Sequence, residues 1–383
     1  MAKEITLSPS LHGNPACYEI GRSVYDCTSE YDNARTTISR LDGVDQDLCL
    51  RHLKALYTHR IYYAEEASIL VWHWKGADEL LSIPLVGDQL VIHYQQNAWT
   101  HLYPFLLLEN DRHYLLDGLF ARQNWHVPEP YIFLGRDHWG HFVSDFLGRY
   151  FMSLDAGLKF RHHVLLGEAI RTNHSSISAL MRGVPSAQHY FPYRFDRPTI
   201  IALKGCYISD WGSYAPFLLQ KTEANLITSI ASRSRIPRIA LLHANASWAR
   251  ISGYRDLVQR LSEYGVQLID PLSVRDAQSA SRIYGRFNAV ISPHGSCLLN
   301  PLILTDLPII LLWPSLTVSK VAHPCDIGQY SEYFMMFGSR VTPVFGEPAG
   351  SLASFGGHVN ESINWPHSYC ASQIASACFR CTQ

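Results

Sequence analysis

Two stretches of this 383-residue chain concentrate side chains that could do chemistry. The first runs Ala289-Val290-Ile291-Ser292-Pro293-His294-Gly295-Ser296-Cys297. It reads as a buried apolar strand that breaks at Pro293 and enters a helix over Cys297–Leu304. A helix N-terminus offers free N–H groups and the positive end of a dipole. At the carboxyl end of a parallel strand, that arrangement suits a diphosphate. Gly295 lets backbone approach a ligand closely, and Ser296 can serve as N-cap and phosphate donor. His294 can donate a hydrogen bond to a phosphate oxygen. A plain strand–turn–helix capped by Ser296 satisfies the same pattern, so the motif alone leaves both readings open.

The second stretch is His138-Trp139-Gly140-His141-Phe142-Val143-Ser144-Asp145-Phe146-Leu147-Gly148-Arg149-Tyr150. On a helix, His138, His141 and Asp145 fall at i, i+3 and i+7 and share one face. A carboxylate beside imidazoles at a strand-to-helix junction is what a general base for a hydroxyl requires. Asp145 could equally pair with Arg149 at i+4, and His141 could be a hydrogen-bonded core residue. A metal site from His138, His141 and His162 or His163 is a further reading, although His-x-x-His is not a standard ligand spacing on a helix. A third, basic cluster comprises Arg233, Arg235 and Arg238, followed by His243, Arg250 and Arg255. Arg250 falls after a strand, where a guanidinium fork could clamp a diphosphate; the bland reading of the cluster is solvated surface.

The elements that must hold these groups show two styles. Residues 1–50 are polar and turn-rich. Strand-like runs follow at Ser68–Trp74, Leu90–Tyr94, Tyr103–Leu108 and His113–Leu119. From residue 131 strands and helices alternate, which is the mark of a parallel sheet covered by helices. The strands are Tyr131–Leu134, His162–Leu166 and Thr199–Leu203, with helices at Gly140–Leu154 and Ser175–Met181. Phe217–Arg235 reads as a helical connector. A second series then runs Arg238–Leu242, helix Tyr254–Tyr264, Val266–Ile269, helix Ser273–Tyr284, Ala289–Ser292, helix Gly295–Leu304 and Pro308–Trp313. The fold class expected is α/β with two Rossmann-like lobes. The domains expected are 1–215, 216–345 and a tail, 346–383, that packs back on the N-terminal lobe.

Composition narrows the classes. Hydrophobic residues make up 47% and charged residues 17%, a globular profile. A formal net charge of -1 gives no ground for a nucleic-acid partner. No apolar run reaches the ~20 residues that span a bilayer. Met1-Ala2-Lys3-Glu4 shows no signal-peptide pattern, so a cytoplasmic location with reduced thiols is expected for the nine scattered cysteines. Cys378 and Cys381 could be half of a zinc site, but no second Cys-x-x-Cys completes it.

The ordered motifs resemble glycosyltransferase family 61, over about residues 130–345. His141-Phe142-Val143-Ser144-Asp145 is similar to the family's His-to-Asp helix. Arg238 to Leu242 followed by Arg250 is similar to its strand and downstream Arg. Ser273, Gln278 and Pro293-His294-Gly295-Ser296 with Asn300 resemble its Ser–Gln helix and Pro-His-Gly-Ala turn. The chain departs from the pattern at His243, where the family often has Arg. It departs again at Ser252-Gly253-Tyr254-Arg255, where the family has Asn-Glu, and at Ser296.

The resemblance implies a GT-B fold, with parallel-sheet lobes facing a central cleft. It implies an inverting, metal-independent transferase, with no cofactor beyond a nucleotide-sugar co-substrate, UDP-linked by expectation. Asp145 and His141 would be catalytic. Arg250, His294, Gly295, Ser296, Asn300, Arg238 and His243 would bind the donor. The acceptor would be a glycan or a lipid-linked saccharide, in bacterial surface polysaccharide synthesis, with peripheral association at the inner membrane face. The only Asp-x-Asp triplet, Asp45-Gln46-Asp47, lies in the polar N-terminal stretch, outside both βα series. A metal-dependent hydrolase built on the His-rich helix and a non-catalytic sugar or nucleotide binder are the other classes.

Overall fold

The computed structural model describes residues 2–8, 10–40, 50, 53–73, 80–92, 103, 105–125, 131–136, 148–158, 162–166, 197–210, 238–243, 251–274, 277–293, 298, 301, 305–313, 340–349 and 367–382. The chain forms two compact units. Unit 1 takes residues 1–25, 56–178 and 183–218; unit 2 takes 26–55, 179–182 and 219–383. Helix α1 (Thr28–Ser39) belongs to unit 2.

Unit 1 is built on an 11-stranded mixed sheet. Its strands are β1 (Ala2–Ser8), β2 (Cys17–Asp26), β3 (Leu56–His73), β4 (Leu80–Val86), β5 (Gln89–Val91), β6 (Leu106–Glu109), β7 (Arg112–Leu116), β8 (Ala121–Trp125), β9 (Tyr131–Arg136), β10 (His162–Leu166) and β11 (Thr199–Ser209). Helix α2 (Gly148–Asp155) lies between β9 and β10 in sequence. The sheet's backbone is the long antiparallel ladder of β3 and β11, in continuous register from Thr199 opposite Val71 to Ser209 opposite Ile61. β8, β9 and β10 join in parallel. The N-terminal half is therefore α/β with a mixed sheet, and its strand pairing is not that of a purely parallel Rossmann layer.

β3 buries side chains on both faces, and its alternation changes phase between Ala64 and Ala67, which enter the same cluster. Tyr62, Ala64, Ile69 and Val71 enter one apolar cluster with Ile201, Leu203 and Ile208. Leu70 and Trp72 enter the other with Tyr103, Phe105, Phe120 and Ile200. Trp72 meets the Phe105 ring edge-on at 4.6 Å between centroids, the arrangement aromatic quadrupoles favour.

Unit 2 carries a five-stranded, wholly parallel sheet: β12 (Ile239–Leu242), β13 (Val266–Ile269), β14 (Ala289–Pro293), β15 (Ile309–Trp313) and β16 (Val341–Phe345). The spatial order is β13-β12-β14-β15-β16. β12, β14 and β15 are buried at every position, as strands covered on both faces must be. Helices α3 (Tyr254–Glu263), α4 (Ala277–Tyr284) and α5 (Ala371–Thr382) complete the unit. Tyr254, Leu257 and Leu261 of α3 share a cluster with Ile374, Ala377 and Cys378 of α5 and with alternate residues of the strands. The tail thus corrects the expectation that it returns to the N-terminal lobe. Ala371, Ile374, Ala375, Ala377 and Cys378 make an apolar stripe at helical spacing, and that stripe is buried on the parallel sheet.

Candidate functional site

The strand order in unit 2 decides where a ligand can sit. β12 is first in sequence, β13 lies on one side of it, and β14 lies on the other. The winding direction reverses between β12 and β14, so connections leave those two carboxyl ends in opposite directions. The point of reversal is the general ligand position in open parallel sheets.

His243 stands at this point, directly after β12. Its backbone N–H donates to the Ile269 carbonyl at 2.7 Å, which ties the β12 exit to the β13 exit. Its Nδ1 lies 3.0 Å from the Tyr254 hydroxyl. Tyr254 is the first residue of α3 and is buried. Gly253, with φ +65°, supplies the left-handed turn that starts the helix there. The imidazole is therefore oriented by a residue of the helix that its own strand feeds.

β14 reaches the same edge at Pro293, and Ser292 is fully buried behind it with its hydroxyl donating to the Pro293 carbonyl at 2.9 Å. The chain then enters His294-Gly295-Ser296. His294, Gly295, Ser296 and Asn300 lie outside the described residues, as do Arg250, His141 and Asp145. The wall of the edge continues through β15 and β16. Trp313 and Phe345 stack with centroids 5.8 Å apart, and the Gly346 N–H donates to the Trp313 carbonyl at 2.8 Å. At Gly346 a Cβ would come within 2.7 Å of the Tyr369 ring and 2.9 Å of His367 Cβ, so only glycine fits. His367 opens β18 (His367–Ser368), is fully buried, and bridges in parallel to Ile251.

The sequence grouped Arg238 with His243, and the structure separates them. Arg238 precedes β12 at the amino edge, exposed, with its N–H on the Asn288 side chain at 2.9 Å. A strand of four residues lies between the two, about 13 Å of extended chain. Arg238 and His243 therefore lie at opposite edges of the parallel sheet.

Unit 1 has a comparable edge. β9, β10 and β11 run parallel, so their carboxyl ends emerge together. The chain leaves β9 at Arg136 toward His138 and His141, and leaves β11 at Asp210. The sequence reading passed over Asp210. Its carboxyl group is buried, accepts hydrogen bonds from Tyr62 and Ser10, and lies 3.6 Å from Arg60. Burial raises its pKa above the usual carboxylate range, against the lowering pull of those partners. Tyr62 beside it is pushed up to about 12, chiefly by burial. The signal was present: Ile208-Ser209-Asp210-Trp211-Gly212 ends a strand on a carboxylate much as Asp137-His138-Trp139-Gly140 follows one.

The cysteine motif at the C-terminus is structural. Cys378 is fully buried against the sheet, and burial raises its thiol to about 12. Cys381 contacts the Thr342 hydroxyl at 3.1 Å. Among the described residues no group of three His, Cys, Asp or Glu side chains converges as a metal site would require.

The model of the Glycosyltransferase 61 family matches residues 139–306. Over that segment, less than half of its length, the chain is similar to glycosyltransferase family 61. The match opens at residue 139, after β9, and closes at residue 306, between β14 and β15, so it holds His141, Asp145, Asp210, Arg238, His243, Arg250, His294, Gly295, Ser296 and Asn300. The family is that of a glycosyltransferase, which implies a sugar donor and a glycan acceptor. No curated protein matches the chain.

Proposed function

We propose that this protein is a family 61 inverting transferase whose nucleotide-sugar donor lies across the carboxyl ends of β12 and β14. The observation that carries the reading is the reversal of winding at those two strands, with His243 at one exit and His294-Gly295-Ser296 next in sequence after the other. In this reading the diphosphate meets the N–H groups of the Gly295-Ser296 turn, with His294, Arg250 and Asn300 as further donors. His243 contacts the donor from the β12 side, oriented by Tyr254.

Transfer is a single in-line displacement. The acceptor oxygen forms a bond to the anomeric carbon as the bond from that carbon to the diphosphate oxygen breaks. The electron pair leaves with the diphosphate, and Asp145 takes the acceptor proton, with His141 orienting it. Arg250, His294 and the turn stabilise the charge on the leaving group, so the step uses no metal. In this GT-B reading unit 2 binds the donor and unit 1 the acceptor. A UDP-sugar donor and a surface polysaccharide or lipid-linked acceptor, handled at the inner face of a membrane, complete the proposal.

The test is a thermal-shift and calorimetric screen of UDP, GDP, CMP and their sugar conjugates, with and without a divalent cation. A ligand at 100 times its Kd raises stability by about 2.7 kcal/mol. The reading expects one nucleotide to stabilise the protein without metal, and His294→Ala and Arg250→Ala to remove the shift. Absence of any nucleotide effect would falsify it.

A further inference from the structure

The inner face of the unit 1 sheet is packed at one end and hollow at the other. Strand registers set side chains into rows across β8, β11, β3 and β4. One row reads Arg122, Ile200, Leu70 and Ile83. Its three aliphatic members are buried in the aromatic cluster around Trp72 and Phe105. The next row outward reads Asn124, Ala202, Ser68 and Leu85. There branched side chains give way to a methyl and a hydroxymethyl group. The row beyond holds Lys204 opposite Glu66. The step down in volume leaves a cavity of about 570 Å³, floored by Leu85, Leu115 and Ile200. That is the size of pockets that take small ligands.

The polar groups around it select a class of ligand. The lining carries three cations, Lys3, Arg122 and Lys204, and two carboxylates, Glu66 and Asp117. Lys3 Nζ donates to the Gly87 carbonyl at 2.9 Å, Arg122 is forked onto Asp117, and Lys204 stands across from Glu66. The Ser68 hydroxyl and the Asn124 amide line the cavity and make no hydrogen bond among the described residues. Each can both donate and accept. An apolar floor under groups that donate and accept matches a ring with C–H faces and neutral hydroxyls.

We propose that this mouth binds a neutral saccharide unit, holding the acceptor glycan on unit 1. The ligand class rests on the glycosyltransferase reading, and the site rests on the cavity and its lining. The test is saturation-transfer NMR and calorimetry on the full chain, with cellobiose, N,N′-diacetylchitobiose and digalacturonate as probes. A neutral disaccharide should bind. Asn124→Ala, at an exposed position, should weaken it about tenfold, the equivalent of one lost hydrogen bond, and Ala202→Trp should abolish it by filling the cavity. Unchanged nucleotide binding in Asn124→Ala reports an intact protein. No disaccharide binding to the wild type, binding unaffected in both variants, or tighter binding of digalacturonate than of both neutral probes overturns the proposal. Nucleotide binding without disaccharide binding sinks this site alone. Disaccharide binding that the variants abolish, without any nucleotide binding, sinks the donor reading and leaves the site.

Discussion

At the residue scale, the pair formed by His243 and Tyr254 is the most exacting feature of the described site. A buried phenol oxygen 3.0 Å from Nδ1 fixes which way the imidazole faces. Tyr254→Phe keeps the ring that packs in the α3 core and removes only that oxygen. We expect nucleotide affinity to fall about three- to tenfold, the range of one neutral hydrogen bond, with Tm little changed. Calorimetric Kd values that match the wild type would remove His243 from the donor site. Asp210 allows a second test at this scale. Its folded pKa is raised, so the native state holds its proton to a higher pH than the unfolded chain does. Its contribution to stability is therefore full at low pH and declines as pH rises from the ordinary carboxylate value through the raised one. Asp210→Asn cannot titrate. The stability of the wild type relative to this variant should fall across that window, read from urea unfolding at a series of pH values. A rising difference would mean that Arg60 outweighs burial.

At the scale of elements, Gly346 shows how a single backbone position shapes the end of a strand. Gly346→Ala would drive a methyl into the Tyr369 ring and the His367 Cβ. Overpacking of this kind costs about 1–3 kcal/mol, so thermal melting should drop by several degrees. An unchanged Tm would show that β16 and β18 can shift freely. This scale is also where the sequence was most and least readable. Val266–Ile269 and His162–Leu166 occur with the bounds expected. Runs such as Ile239–Leu242 and Ile309–Leu312 announced themselves because a parallel strand buried on both faces has no polar positions.

Other elements hid for physical reasons. β2 exposes about every other side chain and reads as polar, so residues 17–26 passed for turn. β3 was expected only at its apolar end, because His59, Arg60, Glu65 and Glu66 interrupt the pattern that Leu56 to His73 continues. Helix α5 is rich in Ser, Ala and Cys, and its apolar stripe is made of small residues that composition does not flag. Strand pairing between β3 and β11 joins residues more than 120 positions apart, and no local pattern encodes it. The candidate site was legible as motifs at strand ends. That Arg238 lies at the opposite edge from His243 followed only from knowing where β12 begins and stops.

At the scale of the whole molecule, the two units own separate cores. Unit 1 is held by two clusters on either face of the mixed sheet, and unit 2 by its own cluster around the parallel sheet. Ligand binding slows local opening where the ligand sits, so amide hydrogen exchange can assign each ligand to its unit. A stabilising nucleotide should slow exchange in peptides covering Ile239–His243 and Ala289–Pro293, at the ends of β12 and β14. Peptides from β8 and the first half of β11 should exchange as before. A neutral disaccharide should do the reverse, slowing Ala121–Trp125 and Thr199–Lys204. Nucleotide protection confined to unit 1 would overturn the placement of the donor on the parallel sheet. Protection in unit 2 at β13 and not at β14 would move the donor away from the point where the winding reverses, and with it the roles given to His294 and Ser296.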